Sequence, residues 1–290
     1  MIPRSMATGL NIAALARRTG VAPDTLRKWE QRYHILQPDR TAGGQRRYSE
    51  RDVARVEWLC QRLEQGYRIG EAARLLGTIG VEPARSPADH LRAILEAVDG
   101  DDPAQIGIRL DQAFALLGLG ETLASVLEPL LRAVGERWER ETISVATEHL
   151  VSEAVRSRLG HVLSDAGGGV HGAAVLACAP GERHELGLMM VAIALRSDGW
   201  KVAYLGADTP VEAALALAQR VSARLLGISV AREERLAAIE AALATHGLPP
   251  GLVLVVGGAG ASRDAASRLG ALYGGPDLRS AVDAVRPIAA

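Results

Sequence analysis

Aromatic residues are scarce in this chain: 290 residues contain one Phe, four Trp and five Tyr. Its cores rest on aliphatic side chains, and a hydrophobic fraction of 48 % is enough to build them. Lysine is nearly absent. Lys28 and Lys201 are the two lysines among 33 Lys and Arg, a bias that points to GC-rich coding rather than to mechanism. Cysteine is equally rare. Cys60 and Cys178 lie in apolar stretches and form no CxxC, which excludes a disulfide framework and makes a reducing cytoplasm the expected location. No apolar run reaches the length of a membrane span, and the first residues lack the pattern of a secretory signal. The length suggests two or three domains.

Net charge is also small, −1 overall, but it is unevenly spread. Residues 1–79 hold 14 Arg and Lys against 8 Asp and Glu, so the remainder is acidic. A basic N-terminal piece on an acidic body suits contact with a polyanion.

Within that basic piece, "NIAALARRTG" (11–20) predicts a short helix stopped by Gly20. "VAPDTLRKWEQRY" (21–33) predicts a second, starting at Pro23 or Asp24, with Leu26, Trp29 and Tyr33 at helical spacing. Helix, glycine-containing turn, helix is the helix-turn-helix pattern. Thr25, Arg27, Lys28 and Arg32 point away from the apolar face, where phosphate and base-edge contacts in a major groove are made. Residues 36–49 then read as a β-hairpin wing, with Arg40, Arg46, Arg47 and Tyr48 clustered around its turn, followed by helices near 50–65 and 69–76. The "LRKWEQRY" helix, the run P-x-R-x-x-G-G-x-R-x-Y and the S-x-x-D-V helix start closely resemble the MerR family of DNA-binding domains. The resemblance covers about 70 residues and implies double-stranded operator DNA as a partner. MerR proteins dimerise through a long coiled coil, and this chain has no long heptad run to supply one.

"TIGVEPARSP" (78–87) reads as a linker. From 88 to 165 the periodicity is helical, with Leu123, Val126, Leu127, Leu130, Leu131, Val134 and Trp138 on one stripe, and it predicts a four-helix bundle. After "DAGGGVHG" the pattern changes to strands at 173–178, 200–205, 224–230, 252–256 and 271–273 with helices between. Such alternation predicts a parallel, doubly wound sheet. The expected fold is thus multidomain: a MerR-like winged helix-turn-helix (9–79), a four-helix bundle (88–165) and an α/β Rossmann-like, flavodoxin-like domain (166–290).

In a doubly wound sheet, ligands bind beyond the carboxyl ends of the strands. "GERHELG" (181–187) follows the first strand and puts His184 at that edge. A neutral imidazole is a good ligand for a borderline transition metal, and its second nitrogen needs an acceptor, for which Glu182 is the candidate. Gly187 permits close approach to the backbone. Ser229 ends the third strand, and Gly257 and Gly258 follow the fourth. Acidic-x-His-x-x-Gly with a later Ser and Gly-Gly resembles the cobalamin-binding domains, although Ala231 stands where that family has Leu in S-x-L. The resemblance implies that His184 replaces the cofactor's benzimidazole as the lower ligand of cobalt, and that the freed nucleotide tail enters a slot beside the sheet.

The bundle carries "WERETISVATEHL". With Ser144 as N-cap, Val145, Glu148 and His149 share one helix face, next to Trp138 at the end of the preceding helix. W-x9-E-H resembles the CarH/LitR group of MerR regulators. That resemblance implies a repressor, not an enzyme, with adenosylcobalamin over which Trp138, Glu148 and His149 would pack. It also implies a dark-state tetramer that light dissociates from DNA. The chain departs from the group at Glu139, where a histidine captures cobalt after photolysis, which leaves His149 or water for that place. This departure opens a second reading, a light-independent sensor of cobalamin or a related tetrapyrrole. His34, His90, His161, His171 and His246 are read as core or surface residues, and Cys178 as a buried small hydrophobe.

Overall fold

Helix α1 (Ile12–Thr19) begins where the Asn11 side chain accepts the Ala14 N–H at 2.8 Å, and it ends at Gly20 with φ 73°. Glycine takes this left-handed conformation without steric cost, so the chain turns at once into α2 (Pro23–Tyr33), whose proline occupies a position that needs no N–H donor. Strands β1 (Asp39–Arg40) and β2 (Arg46–Arg47) pair antiparallel as the wing. Ser49 and Asp52 then form a reciprocal cap, Ser49 N–H to Asp52 at 2.8 Å and Asp52 N–H to Ser49 Oγ at 3.2 Å, which starts α3 (Glu50–Glu64). Helix α4 (Ile69–Ile79) runs three residues beyond its expected end, into the stretch read as linker.

A computed structural model of the chain describes residues 9–36, 38–40, 44–64, 67–79, 86–164 and 169–289. The tip of the wing (41–43) and most of the expected linker (80–85) lie outside the described residues. The chain groups into two units, Met1–His90 with Asp111–Leu117, and Leu91–Leu110 with Gly118–Ala290.

The first unit has an aliphatic core closed by Trp29, Tyr48 and Trp58. It includes the end of α6, because the last carbonyls of a helix lack partners within it. Trp58 Nε1 donates to the Ala115 carbonyl at 2.5 Å, and Arg62 donates to the same oxygen at 3.1 Å.

The second unit holds helices α5 (Pro87–Asp99, from Leu91 onward) and α6 (Pro103–Leu116, as far as Leu110). Next, α7 (Leu119–Thr122), a π-helical turn (Leu123–Leu127) and α8 (Glu128–Glu139) run on without interruption. Ser144 caps α9 (Val145–Ser164), accepting the Thr147 N–H at 3.0 Å. Thr147, Val151, Val155, Leu159 and Leu163 recur every fourth residue as its buried stripe.

The sheet follows: β3 (Ala173–Cys178), α10 (Leu186–Ser197), β4 (Lys201–Gly206), α11 (Val211–Arg220), β5 (Leu225–Ser229), α12 (Leu236–His246), β6 (Val253–Gly257), α13 (Arg263–Arg268), β7 (Leu272–Tyr273) and α14 (Leu278–Ala289). All five strands are parallel in the order β4-β3-β5-β6-β7. Strand order therefore reverses between β3 and β5, where a doubly wound sheet opens a crevice at its carboxyl edge. Side chains alternate across the sheet. Val175, Ala177, Leu226, Ile228, Leu254 and Val256 pack with α11, α12 and α13 in one aliphatic core. The other face, toward α10 and α14, carries Leu176, Leu225, Gly227, Ser229, Val255 and Gly257.

Candidate functional site

The turn after β3 positions His184 at the crevice. Glu182, 1 % exposed, accepts from His184 Nδ1 at 2.5 Å and from the His184 N–H at 3.0 Å through Oε1. Its Oε2 accepts the Ala231 N–H, just past β5, at 3.0 Å. Burial pushes the Glu182 carboxyl up. The bonds from the His184 N–H, the His184 ring and the Ala231 N–H outweigh that and leave it below the ordinary carboxylate range. The His184 side chain remains 63 % exposed, with Nδ1 committed to Glu182 and Nε2 the nitrogen left for a ligand.

Glu185, the next acidic residue, ties the same turn to two other elements. Tyr204 OH on β4 donates to its Oε2 at 2.8 Å, the Ala207 N–H reaches the same oxygen at 3.2 Å, and Arg156 on α9 pairs with Oε1. Cys178 lies buried at the end of β3, and burial, with the Glu182 charge second, pushes its thiol up to about 12. It has the properties of a small hydrophobe and not of a nucleophile.

Gly187, Ser229, Gly257 and Gly258 line one cavity of about 270 Å³ between the sheet, α10 and α14. A Cβ at Gly187 would meet nothing within 4 Å. Residues missed from sequence complete the walls: Gly227, Gly274 and Gly275, aliphatic Leu176, Leu225 and Val285, and Glu128 and Arg132 from α8. The period-two reading of "LLGIS" holds the signal, since Gly227 falls on the face of Ser229 and leaves a trough. Glu128 joins the bundle to the sheet, accepting the Leu278 N–H at 3.4 Å.

Trp138, Val145, Glu148 and His149 do not line this cavity. Trp138, the penultimate residue of α8, has 44 % of its surface exposed, and Val145 opens α9 with 56 % exposed. His149 Nδ1 meets Glu148 Oε2 at 2.6 Å, and Ser152 donates to Glu148 Oε1 at 2.6 Å. Val145, His149, Ser152 and Arg156 follow one side of α9. His149 thus stands roughly 10 Å along the helix from Arg156, the residue that grips the His184 turn. Glu139 is exposed at the last position of α8.

In the first unit, Arg27, Lys28 and Arg32 are exposed on α2, with Arg27 paired to Asp24 at 2.5 Å, and Thr25 is half-buried. Arg46 Nε and Tyr48 OH both reach the Glu30 carboxylate at 2.8 Å, which ties the wing to α2. Arg47 is half-buried, and of Arg40 the backbone alone is described, opposite Arg46 in the wing. Tyr48 differs from the sequence reading. It is fully buried, because its ring fills the core and its hydroxyl is taken up by Glu30, so it shapes the wing from within.

Three family models match in order: the MerR HTH family regulatory protein over residues 10–78, and the B12 binding domain over 91–163 in its helical form and 172–280 in its sheet form. The monomethylamine corrinoid protein of Methanosarcina barkeri shares the fold, with a TM-score of 0.58 at 18 % identity over 70 % of this chain and 100 % of that one. Together these define a cobalamin-binding, DNA-binding regulator. Two proteins of Myxococcus xanthus are similar along nearly the whole length. The HTH-type transcriptional repressor CarH is 38 % identical over 267 residues, 87 % of this chain and 89 % of that protein. The repressor CarA is 35 % identical over 281 residues, 91 % and 92 % of the two. The chain belongs to this CarH/CarA family of MerR-type transcriptional repressors.

Proposed function

We propose that the chain is a light-responsive transcriptional repressor that uses adenosylcobalamin. The observation that carries the cofactor reading is the buried Glu182 holding an exposed His184, three residues before Gly187, which lines the glycine-rich cavity. The residues fit the group. His184 Nε2 is the ligand to cobalt, Glu182 fixes the ring's tautomer, and Gly187, Ser229, Gly257 and Gly258 border the slot for the nucleotide tail. Adenosylcobalamin bound there supplies a cobalt–carbon bond that light breaks. Trp138, Val145, Glu148 and His149 form the wall toward the adenosyl group, and the exposure of Trp138 and Val145 supports a face awaiting a ligand. Arg27, Lys28, Arg32, Arg40, Arg46 and Arg47 bind double-stranded operator DNA, with Thr25 on α2 beside them. Tyr48 serves the same surface by supporting it. Dimers or tetramers of the cobalamin-bound protein engage several half-sites, and avidity sets the strength of repression.

One observation favours a second reading, a light-independent sensor of cobalamin or a related tetrapyrrole. Glu139 offers a carboxylate in place of the histidine next to Trp138, and it is a poorer partner for cobalt. Size-exclusion chromatography with absorption spectra separates the two. Protein loaded with adenosylcobalamin in the dark should elute as an oligomer that green light dissociates. Photolysis with no change in size would favour the light-independent sensor.

A further inference from the structure

We infer that the slot beside the sheet discriminates among corrinoids by their lower base, accepting benzimidazole-type bases and disfavouring purines. This rests on the reading of that slot as the place of the nucleotide tail.

Three elements give the slot its direction. Strand β5 descends from Ser229 at the carboxyl edge through Gly227 to Leu225, about 13 Å at the rise of a parallel strand. Helix α10 descends beside it from Gly187 through Val191 to Leu195, and α14 from Leu278 through Ala281 to Val285. The polar side chains on the lining are Glu128, Arg132, Ser229 and Asp277. Ser229 ends β5, Asp277 precedes α14, and Glu128 meets the Leu278 N–H, so these groups stand at the mouth. Toward the far end the lining side chains are Leu176, Val191, Leu195, Leu225, Val255 and Val285, all aliphatic.

Backbone groups along the walls are engaged as well. Gly274 N–H donates to the Val256 carbonyl at 2.9 Å, and Gly258 N–H to the Gly275 carbonyl at 2.9 Å. Gly227 sits within the parallel ladders of β3 and β6, and Leu131, Val191, Leu195, Ala281 and Val285 lie within helices. A benzimidazole presents a carbon edge to such walls. Adenine presents an exocyclic amine and ring nitrogens, which would leave water for a place without partners. An apolar pocket rejects a near-isostere bearing one extra polar group by roughly 10- to 100-fold.

The test is a dark spectral titration of the full-length protein with three probes that share one upper ligand: cobalamin, the cobamide whose lower base is adenine, and cobinamide, which has no base. Cobalamin should bind about 10- to 100-fold more tightly than the adenine form, with the His184-ligated spectrum in both. Ala281→Ser, which adds a hydroxyl to the wall at a helical surface position, should narrow that ratio. Equal affinity for the two cobamides, with cobinamide weaker, would overturn the selectivity and leave the slot as the tail's place. Equal affinity for all three would overturn the tail's placement, and the selectivity with it.

Discussion

His184 Nδ1 lies 2.5 Å from Oε1 of Glu182, a carboxylate that is 1 % exposed yet held below its ordinary 4.5. A carboxyl whose pKa is lowered by folding stabilises the fold above its ordinary value. That stabilisation fades as pH falls from the ordinary carboxylate range through the lowered folded value. Glu182→Gln should therefore cost stability at pH 7, and the gap to the unaltered protein should shrink on acidification below about pH 4.5. Denaturant unfolding at several pH values checks this. A gap that stays constant with pH would mean that the carboxylate charge contributes nothing.

His184→Ala should leave the fold intact, since the ring is largely exposed, but should deprive cobalt of its protein ligand. The expected spectrum keeps benzimidazole on cobalt. Glu182→Gln should weaken cobalamin binding by about 10- to 100-fold, the range seen when the group behind a metal-binding histidine is lost. An unchanged spectrum in His184→Ala would remove His184 from the cobalt.

Glu30 receives both Arg46 and Tyr48, so wing and second helix form one body. Arg46→Ala should reduce the salt slope of operator binding by about 1, the release of one phosphate contact. Tyr48→Phe should lower stability by about 1.5–3 kcal/mol, as for a hydrogen bond lost to a charged group, with the salt slope kept. Binding titrations at several salt concentrations and thermal melts separate the two effects.

Most of the fold could be read from local pattern. Strands alternate with helices, Gly20 and Pro23 punctuate the helix-turn-helix, and GERHELG follows the first strand at the carboxyl edge of the sheet. The Glu182–His184 pair was legible because both residues lie in one turn. Less legible were features built from distant segments. Gly274, Gly275 and α14 close the slot from the far end of the chain, and Glu128 reaches them from the bundle. Tyr48 misled because a tyrosine beside arginines looks like a contact residue, whereas burial of its ring depends on α2 and α3. The end of α6 joins the first unit through carbonyls, which carry no sequence signature.

The glycines of the slot should behave differently from one another. Gly258 has φ 105°, and a Cβ there would come within 2.5 Å of the Val230 carbonyl. Gly258→Ala should destabilise the sheet domain by about 1–3 kcal/mol through backbone strain. Gly187 sits in the first turn of α10 with open space around it, so Gly187→Ala should melt no lower than the unaltered protein. A bulkier Gly187→Leu should still fold and should lose cobalamin affinity. Melting temperature and spectral titration, taken together, read both quantities.

Arg156 and Glu185 connect the bundle to the turn that bears His184, and Glu185 is also held by Tyr204 and the Ala207 N–H. The pair is made by the Glu185 side chain, one residue from His184, and offers a link by which movement of the turn would reach α9. The contact to the ring itself is made by Glu182. Arg156→Met, which keeps the packed stem and removes the charge, should retain the His184-ligated spectrum. It should also lose most of the cobalamin-dependent change in oligomer size. Tyr204→Phe leaves the ion pair in place and should keep that change. Loss of the His184-ligated spectrum in Arg156→Met would instead make the pair part of the cobalt site, and an unchanged oligomer response would mean that α9 is moved through its apolar contacts with α10.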